Sequence, residues 1–543
     1  MRPMDFEFRS RRSMAVARRG MAATSSPLAS GAAVAILRAG GTAADAAVAA
    51  AAVLNVVEPA STGIGGDCFA LYYDAKTGRI SALNGSGRAP SGASLADAAA
   101  AMHARGLDAI DPHHGHAVTV PGAVAGWADL LARHGRMSLR EVLADAIHHA
   151  REGFGVGPWF ASAWKQAEPL LAASRNAGEY LPAGRAPAAG QVVKLPALAR
   201  TLEAIAEGGA AAFYEGPIGA QIAAAVQEAG GVLTIDDLKA HRSTWDEPIS
   251  AEYRGITVWE CPPNGQGIAA LQALRLLEGY DLGALAPDGP ERLHLMVEAM
   301  RLAFADARWY VADPAISPAP IAELLSDDYI RARRALISPA GAMQPPAFGR
   351  PFGHSDTVYL SVVDGEGSAC SFINSLYMGF GVGFVAGETG VLLHNRGALF
   401  SLDPSHPNCF APNKRPYHTI IPALATRGDA LWACFGVMGG FMQPQGHVQV
   451  LSAMIDDDLN PQEALDRPRW MLADGTSEGA LWLEAGIPVA TMARLAELGH
   501  VVRPVSGYAR TVFGDGQIIR RDPETGVLYG GSDPRKDGLT AAF

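Results

Sequence analysis

Small and apolar residues take helical spacing soon after a polar N-terminal stretch, and residues 26–57 read as two helices. Ser26 can cap the first, Pro27 fits its first turn, and Gly40-Gly41 stops it. Thr42 caps the second, with Asp45 three residues later in capping-box position. Small residues lie on every face of Ala43 to Val57, so this helix is expected to be buried between layers. CFALYYD and RISALNG then alternate around the turn AKTG as a hairpin. AVTVPGAVAGWADLLARHG is a turn feeding an amphipathic helix, and residues 136–245 read as largely helical. Residues 247–261 alternate as a strand pair, PPNGQG turns into a helix ending near Gly279, and Glu291 to Trp309 is a long helix. Ser338 to Asp356 has no apolar period and reads as an exposed linker.

Beyond the linker the period changes to two. TVYLSVVD and SACSFINS flank the turn GEG as a second hairpin. HTIIPALAT and ALWACFGVMGG flank RGD, helices follow at Gln443 to Met454 and Pro488 to Leu498, and late strands surround DPETG. Strands near both ends with helices around them predict two packed sheets between helix layers.

Composition narrows the function classes. A net charge of −11 over 543 residues makes nucleic acid and anionic membrane poor partners, since phosphate recognition needs a basic patch. The 61 glycines and 36 prolines stay short of the ~25–30% that signals disorder. Cys68, Cys261, Cys370, Cys409 and Cys434 form no CxxC pair and read as buried free thiols. No apolar h-region and no uncharged apolar run of 18 residues is present, so the cytoplasm is the default expectation, with the periplasm left open.

Most candidate chemistry reads as structure. STGIGGD (61–67) lacks the phosphate-loop pattern and reads as a turn or a close backbone approach. His113, His114 and His116 read as a solvated loop, His148-His149 as a surface helix, and Asp456 to Asp458 as a solvated turn. No metal and no cofactor is expected. Ser86 lacks the strand–turn–helix context of a nucleophilic serine. The junction His354-Ser355-Asp356-Thr357 differs: a linker ends at a threonine that opens a strand. Cutting between Asp356 and Thr357 would free an α-amine of pKa about 8 beside the Thr357 hydroxyl, joining nucleophile and base in one residue. Backbone N–H groups at Gly439 and Gly440 could then hold an oxyanion. A strand-initial threonine is ordinary, so spacing alone does not decide.

DTVYLSVVDGEGSACSF, FGVGFVAGETGVLLHN, APNKRPYHTIIPAL and FGVMGGFMQPQGHVQV together resemble the small subunit of γ-glutamyltransferases, and STGIGGD, VPGAVAGW, YRGITVWECPPNGQG and YGGSDPR extend the resemblance from about Ala22 to the C-terminus. It implies an α+β fold, the four-layer αββα sandwich of N-terminal-nucleophile hydrolases. It also implies a proenzyme that cuts itself into a large chain, 1–356 including the linker 338–356, and a small chain, 357–543. The two would form a heterodimer within one compact domain, with further pairing left open. Thr357 matches the nucleophile, Ser375 a hydroxyl residue contacting it, and Gly439 and Gly440 the oxyanion pair.

The substrate-anchoring positions depart from the family pattern. Val358 and Tyr359 replace a Thr and a His after the nucleophile. Ser86 stands where members carry a carboxylate-binding Arg, with Arg88 two residues on; Arg396 and Leu399 stand for the usual Gln and the Asp that grips an α-amine. His418 and Thr419 replace a Ser-Ser pair, and Tyr377 an Asn. A buried ammonium needs a carboxylate partner, which Leu399 cannot supply, and Arg396 adds positive charge. The expectation is a small-molecule amidohydrolase or acyltransferase of γ-glutamyltransferase type, with Arg88, Arg396, Tyr377, His418 and Thr419 as substrate-binding candidates. Glutathione is its nominal and poorly suited substrate. Two alternatives stand: an acylase for non-amino, glutaryl-type acyl groups, and an uncut scaffold without turnover. Hydrolysis against transfer is left open.

Overall fold

The computed structural model describes residues 12–343 and 356–543. Most of the expected linker, residues 344–355, lies outside them. Two seven-stranded antiparallel sheets form the centre. One orders Ala15–Ala17, Leu528–Ser532, Gly516–Arg521, Ala430–Val437, Ala423–Arg427, Ile256–Glu260 and Ile249–Tyr253. The other orders Leu539–Ala542, Met21–Thr24, Asp356–Val363, Ala369–Tyr377, Asp67–Asp74, Arg79–Gly85 and Thr244–Asp246. Helices cover both outer faces, giving the expected αββα layering.

Strand alternation shows how the layers are specified. Val358, Leu360 and Val362 are buried in the same core as the helix Ala43–Val57, whereas Tyr359 and Val363 pack with Leu424, Cys434 and Ile519 between the sheets. One strand therefore serves two cores, as a period of two requires. All fifteen residues of Ala43–Val57 are buried, and its small side chains let it lie close to the sheet. The Thr42–Asp45 capping box is present. On the other side, Gly267–Leu277 and Met442–Ile455 cover the sheet that holds Ala430–Val437 and Ile249–Tyr253.

Two surface expectations are corrected. Asp456 and Asp457 are not a solvated turn: Asp457 pairs bidentately with Arg292 at 2.7 and 2.9 Å, and Asp456 accepts from Tyr253 and Arg254. These carboxylates tie the end of Met442–Ile455 to the neighbouring strand and helix. His116 is buried, because its turn packs on Arg396–Leu399 so closely that a Cβ at Gly397 would meet Ala117 O at 2.8 Å. Cys68, Cys261, Cys370 and Cys434 are buried free thiols, and Cys409 is half-buried. No helix among the described residues is long and apolar enough to cross a membrane.

Candidate active site

Thr357 stands at the start of Asp356–Val363, the third of seven strands, with its side chain fully buried. Pairing with Ala369–Tyr377 slips here: Asp356 faces Tyr377, yet Val358 faces Asn374. Ser375 and Leu376 thus oppose Thr357 alone, a β-bulge of the kind that re-aims side chains. Tyr377 closes the bulge at φ 77°, in the left-handed region. The bulge leaves Thr357 Oγ 3.1 Å from Ser375 Oγ, while Ser375 Oγ accepts from Tyr377 N–H at 2.8 Å.

The facing sheet brings the glycines to the same end. Ser361 Oγ donates to Cys434 O, and a Cβ at Gly436 would touch the Tyr359 ring. That progression carries Thr357 toward Met438 and the turn after it. Gly439 and Gly440 have φ of 119° and 60°, which only glycine adopts freely at the first position. Among the described residues neither N–H donates to a backbone carbonyl. Gln266 Nε2 donates to both Gly440 O and Thr419 O, and Gln266 Oε1 accepts from Tyr417, so one buried amide holds the glycine turn against the 417–419 segment. Gly439 lines a cavity of about 660 Å³ with Trp159, Met378, Phe441, Tyr508 and Lys536.

Behind Ser375 lies a buried charged cluster. Asp67 pairs directly across from Ser375 in the sheet. Its carboxylate receives His418 Nε2 at 2.7 Å and the Arg396 fork at 3.4 Å on each oxygen, with His394 Nδ1 3.3 Å away. Burial alone would raise the Asp67 carboxyl, but Arg396, His418 and His394 outweigh it and hold it well below the usual range. His418 is pushed down to about 4, chiefly by burial and then by Arg396. Its Nδ1 accepts from Ile420 N–H, which leaves Nε2 to donate to Asp67. Arg396 Nη1 also donates to Thr419 Oγ1 at 2.7 Å, and the guanidinium stacks 4.7 Å from the Tyr377 ring centre. Burial raises the Tyr377 hydroxyl to about 12, and that oxygen has no hydrogen-bond partner among the described residues.

The structure therefore joins Arg396, Tyr377, His418 and Thr419 in one cluster beside Thr357 and Ser375. Arg88 is elsewhere: it pairs with buried Asp313 at 2.8 Å and with Asn413 O. Leu399 is buried and lines a separate cavity with Arg308 and Tyr417. Asp67 and Gln266 were missed as site residues, although both sit in quoted motifs, STGIGGD and PPNGQG. A buried Asp ending a glycine turn was the available signal. The positive charge expected of Arg396 is met by Asp67.

The family model for gamma-glutamyltranspeptidase matches residues 29–543. Among curated relatives, the glutathione hydrolase-like YwrD proenzyme of Bacillus subtilis (strain 168) is 38% identical, covering 94% of this chain and 95% of its own. The oxamate amidohydrolase proenzyme of Klebsiella pneumoniae is 36% identical over 97% and 99% of the two chains. The solved cephalosporin acylase from Bacillus halodurans superposes with a TM-score of 0.91 at 43% identity, covering 100% of this chain and 99% of that one. With this match across the sandwich and the Thr357 strand, the chain belongs to the gamma-glutamyltranspeptidase family of enzymes.

Proposed function

We propose that the chain is a self-processing amidohydrolase and acyltransferase whose nucleophile is Thr357, acting on amides whose acyl group bears a carboxylate but no α-amine. The observation that carries the nucleophile is the 3.1 Å contact of Thr357 Oγ with Ser375 Oγ at the bulged start of a central strand.

In the precursor, Thr357 Oγ attacks the carbonyl carbon of Asp356. The peptide C–N bond breaks as the ester forms, and the nitrogen, which keeps its amide hydrogen, takes the Oγ proton to become the new α-amine. Water hydrolyses the ester, leaving chains 1–356 and 357–543 packed as a heterodimer. In turnover the Thr357 amine, of pKa about 8, takes the Oγ proton while Oγ attacks the substrate amide. The N–H groups of Gly439 and Gly440 receive the oxyanion. The ammonium then returns its proton to the leaving nitrogen, and water or an amine releases the acyl group from Oγ.

The substrate class follows from the cluster behind Ser375. Arg396 pairs with Asp67, the strand neighbour of Ser375, and its fork holds that carboxylate only loosely, at 3.4 Å on each oxygen. A substrate carboxylate can take its remaining N–H donors, with Thr419 and Tyr377 fixing the guanidinium plane. Leu399 ends the same turn as Arg396 and offers an α-ammonium no carboxylate, so that charge would be left unpaired. Oxamate, named for one relative, is an amide with a carboxylate and no amine. Anilide hydrolysis tests this: kcat/KM for glutaryl anilide should exceed that for γ-glutamyl anilide by about tenfold or more. Equal values would remove the argument from Leu399 while leaving Thr357 untouched.

A further inference from the structure

His294 and Glu298 sit one turn apart on the helix Pro290–Tyr310, so both face the same way. His500, in the turn after Val489–Glu497, reaches the same point from the other side. All three are buried, at 1%, 0% and 3% exposure, and one donor atom from each lies within 4.8 Å of the others. The protons are placed by their neighbours. His294 Nε2 lies 2.7 Å from Ser338 O, a carbonyl that can only accept, so this nitrogen carries the proton and Nδ1 presents a lone pair. That lone pair is 2.8 Å from His500 Nε2. Two polar atoms of the cluster, Glu298 Oε1 and His500 Nδ1, are buried without a hydrogen-bond partner among the described residues. Arg301 Nε approaches Glu298 Oε1 only to 3.6 Å.

We propose that His294, Glu298 and His500 form a binding site for a divalent transition-metal ion of zinc type. Two imidazoles and a carboxylate suit Zn²⁺, and the His294 Nε2–Ser338 contact is the outer hydrogen bond that orients a ligating imidazole. The ion would replace the His294–His500 hydrogen bond, the Nε2 proton of His500 moving to its open Nδ1, and would use Glu298 Oε1, which accepts no hydrogen bond among the described residues, leaving a fourth position for water. Two of the three also hold the segment that leads to the Asp356–Thr357 bond: His294 Nε2 donates to Ser338 O and Met343 N–H donates to Glu298 Oε2, both at 2.7 Å, while Ala342 N–H donates to Leu498 O, two residues before His500. Metal binding would thus clasp the base of that segment. Sequence spacing offers no warning, because His294 and His500 are 206 positions apart. The site depends on no assumption about the nucleophile.

Chelator-treated full-length protein titrated calorimetrically with Zn²⁺ should bind one ion per chain and gain thermal stability. His294→Gln and His500→Gln should each weaken binding about tenfold or more. The surface double variant H148N/H149N should bind as the parent does. Absence of one-to-one binding, or equal affinity in His500→Gln, would overturn the site. Should the buried variants fail to fold, Co²⁺ in the parent protein decides. Intense tetrahedral visible bands support the site, and the weak spectrum of an octahedral surface complex overturns it.

Discussion

Thr357 and Ser375 share a single hydrogen bond inside a fully buried bulge, so deleting one hydroxyl has a readable cost. Ser375→Ala removes that bond and the acceptor of the Tyr377 N–H. Self-cleavage and turnover should both slow about 10- to 100-fold, the equivalent of ~1.5–3 kcal/mol. Single-turnover rates check this, and unchanged rates would separate Ser375 from the chemistry. Thr357 itself was readable as a candidate because a linker ended at a strand-opening hydroxyl. The partners of Asp67 were not, because Arg396 and His418 stand 329 and 351 positions away from it. Pairing of that reach is decided by the order of strands, which periodicity does not encode.

At the scale of elements, the STGIGGD loop and the bulged hairpin are built to touch. A Cβ at Gly66 would fall 2.3 Å from Ser375 O and 2.9 Å from Gly63 O. Gly66→Ala should therefore push the loop off the strand, lowering stability by ~1–3 kcal/mol and slowing self-cleavage. Denaturant midpoints and precursor decay curves measure both, and a variant matching the parent would show that the approach is not required. The elements themselves were largely legible. The capped helix Ala43–Val57 and both hairpins carry strong periods, and the structure has them within a residue or two. The slip between Asp356 and Val358 was hidden, since the alternation on each strand looks regular and only their pairing reveals the extra residue. The solvated reading failed for Asp456 and Asp457 for a similar reason, because Arg254 and Arg292 arrive from distant segments, whereas Asp458 is exposed as expected.

Across the whole molecule, buried imidazoles set the acid limit. His418 is held neutral, with its value lowered to about 4 against an unfolded value of about 6.5. A group lowered in the folded state contributes fully above its unfolded value. That contribution is lost as pH falls from about 6.5 toward about 4. His447, lowered to about 3 by burial, adds a loss of the same sign. Asp67, held below its ordinary range, keeps its contribution until pH falls below about 4. His418→Asn should flatten the fall in stability through the upper window, read from denaturant midpoints at stepped pH. Parallel profiles would contradict the assignment.

The enzyme as a whole is proposed to be a precursor that becomes competent by exposing one amine, and the N-terminal sequence of its smaller fragment tests that claim most directly. Matured parent protein should yield TVYLSVVD, beginning at Thr357, while Thr357→Ala should persist as one uncut and inactive chain. An active parent whose fragment begins elsewhere, or a Thr357→Ala chain that is still cut and turns over substrate, would contradict it.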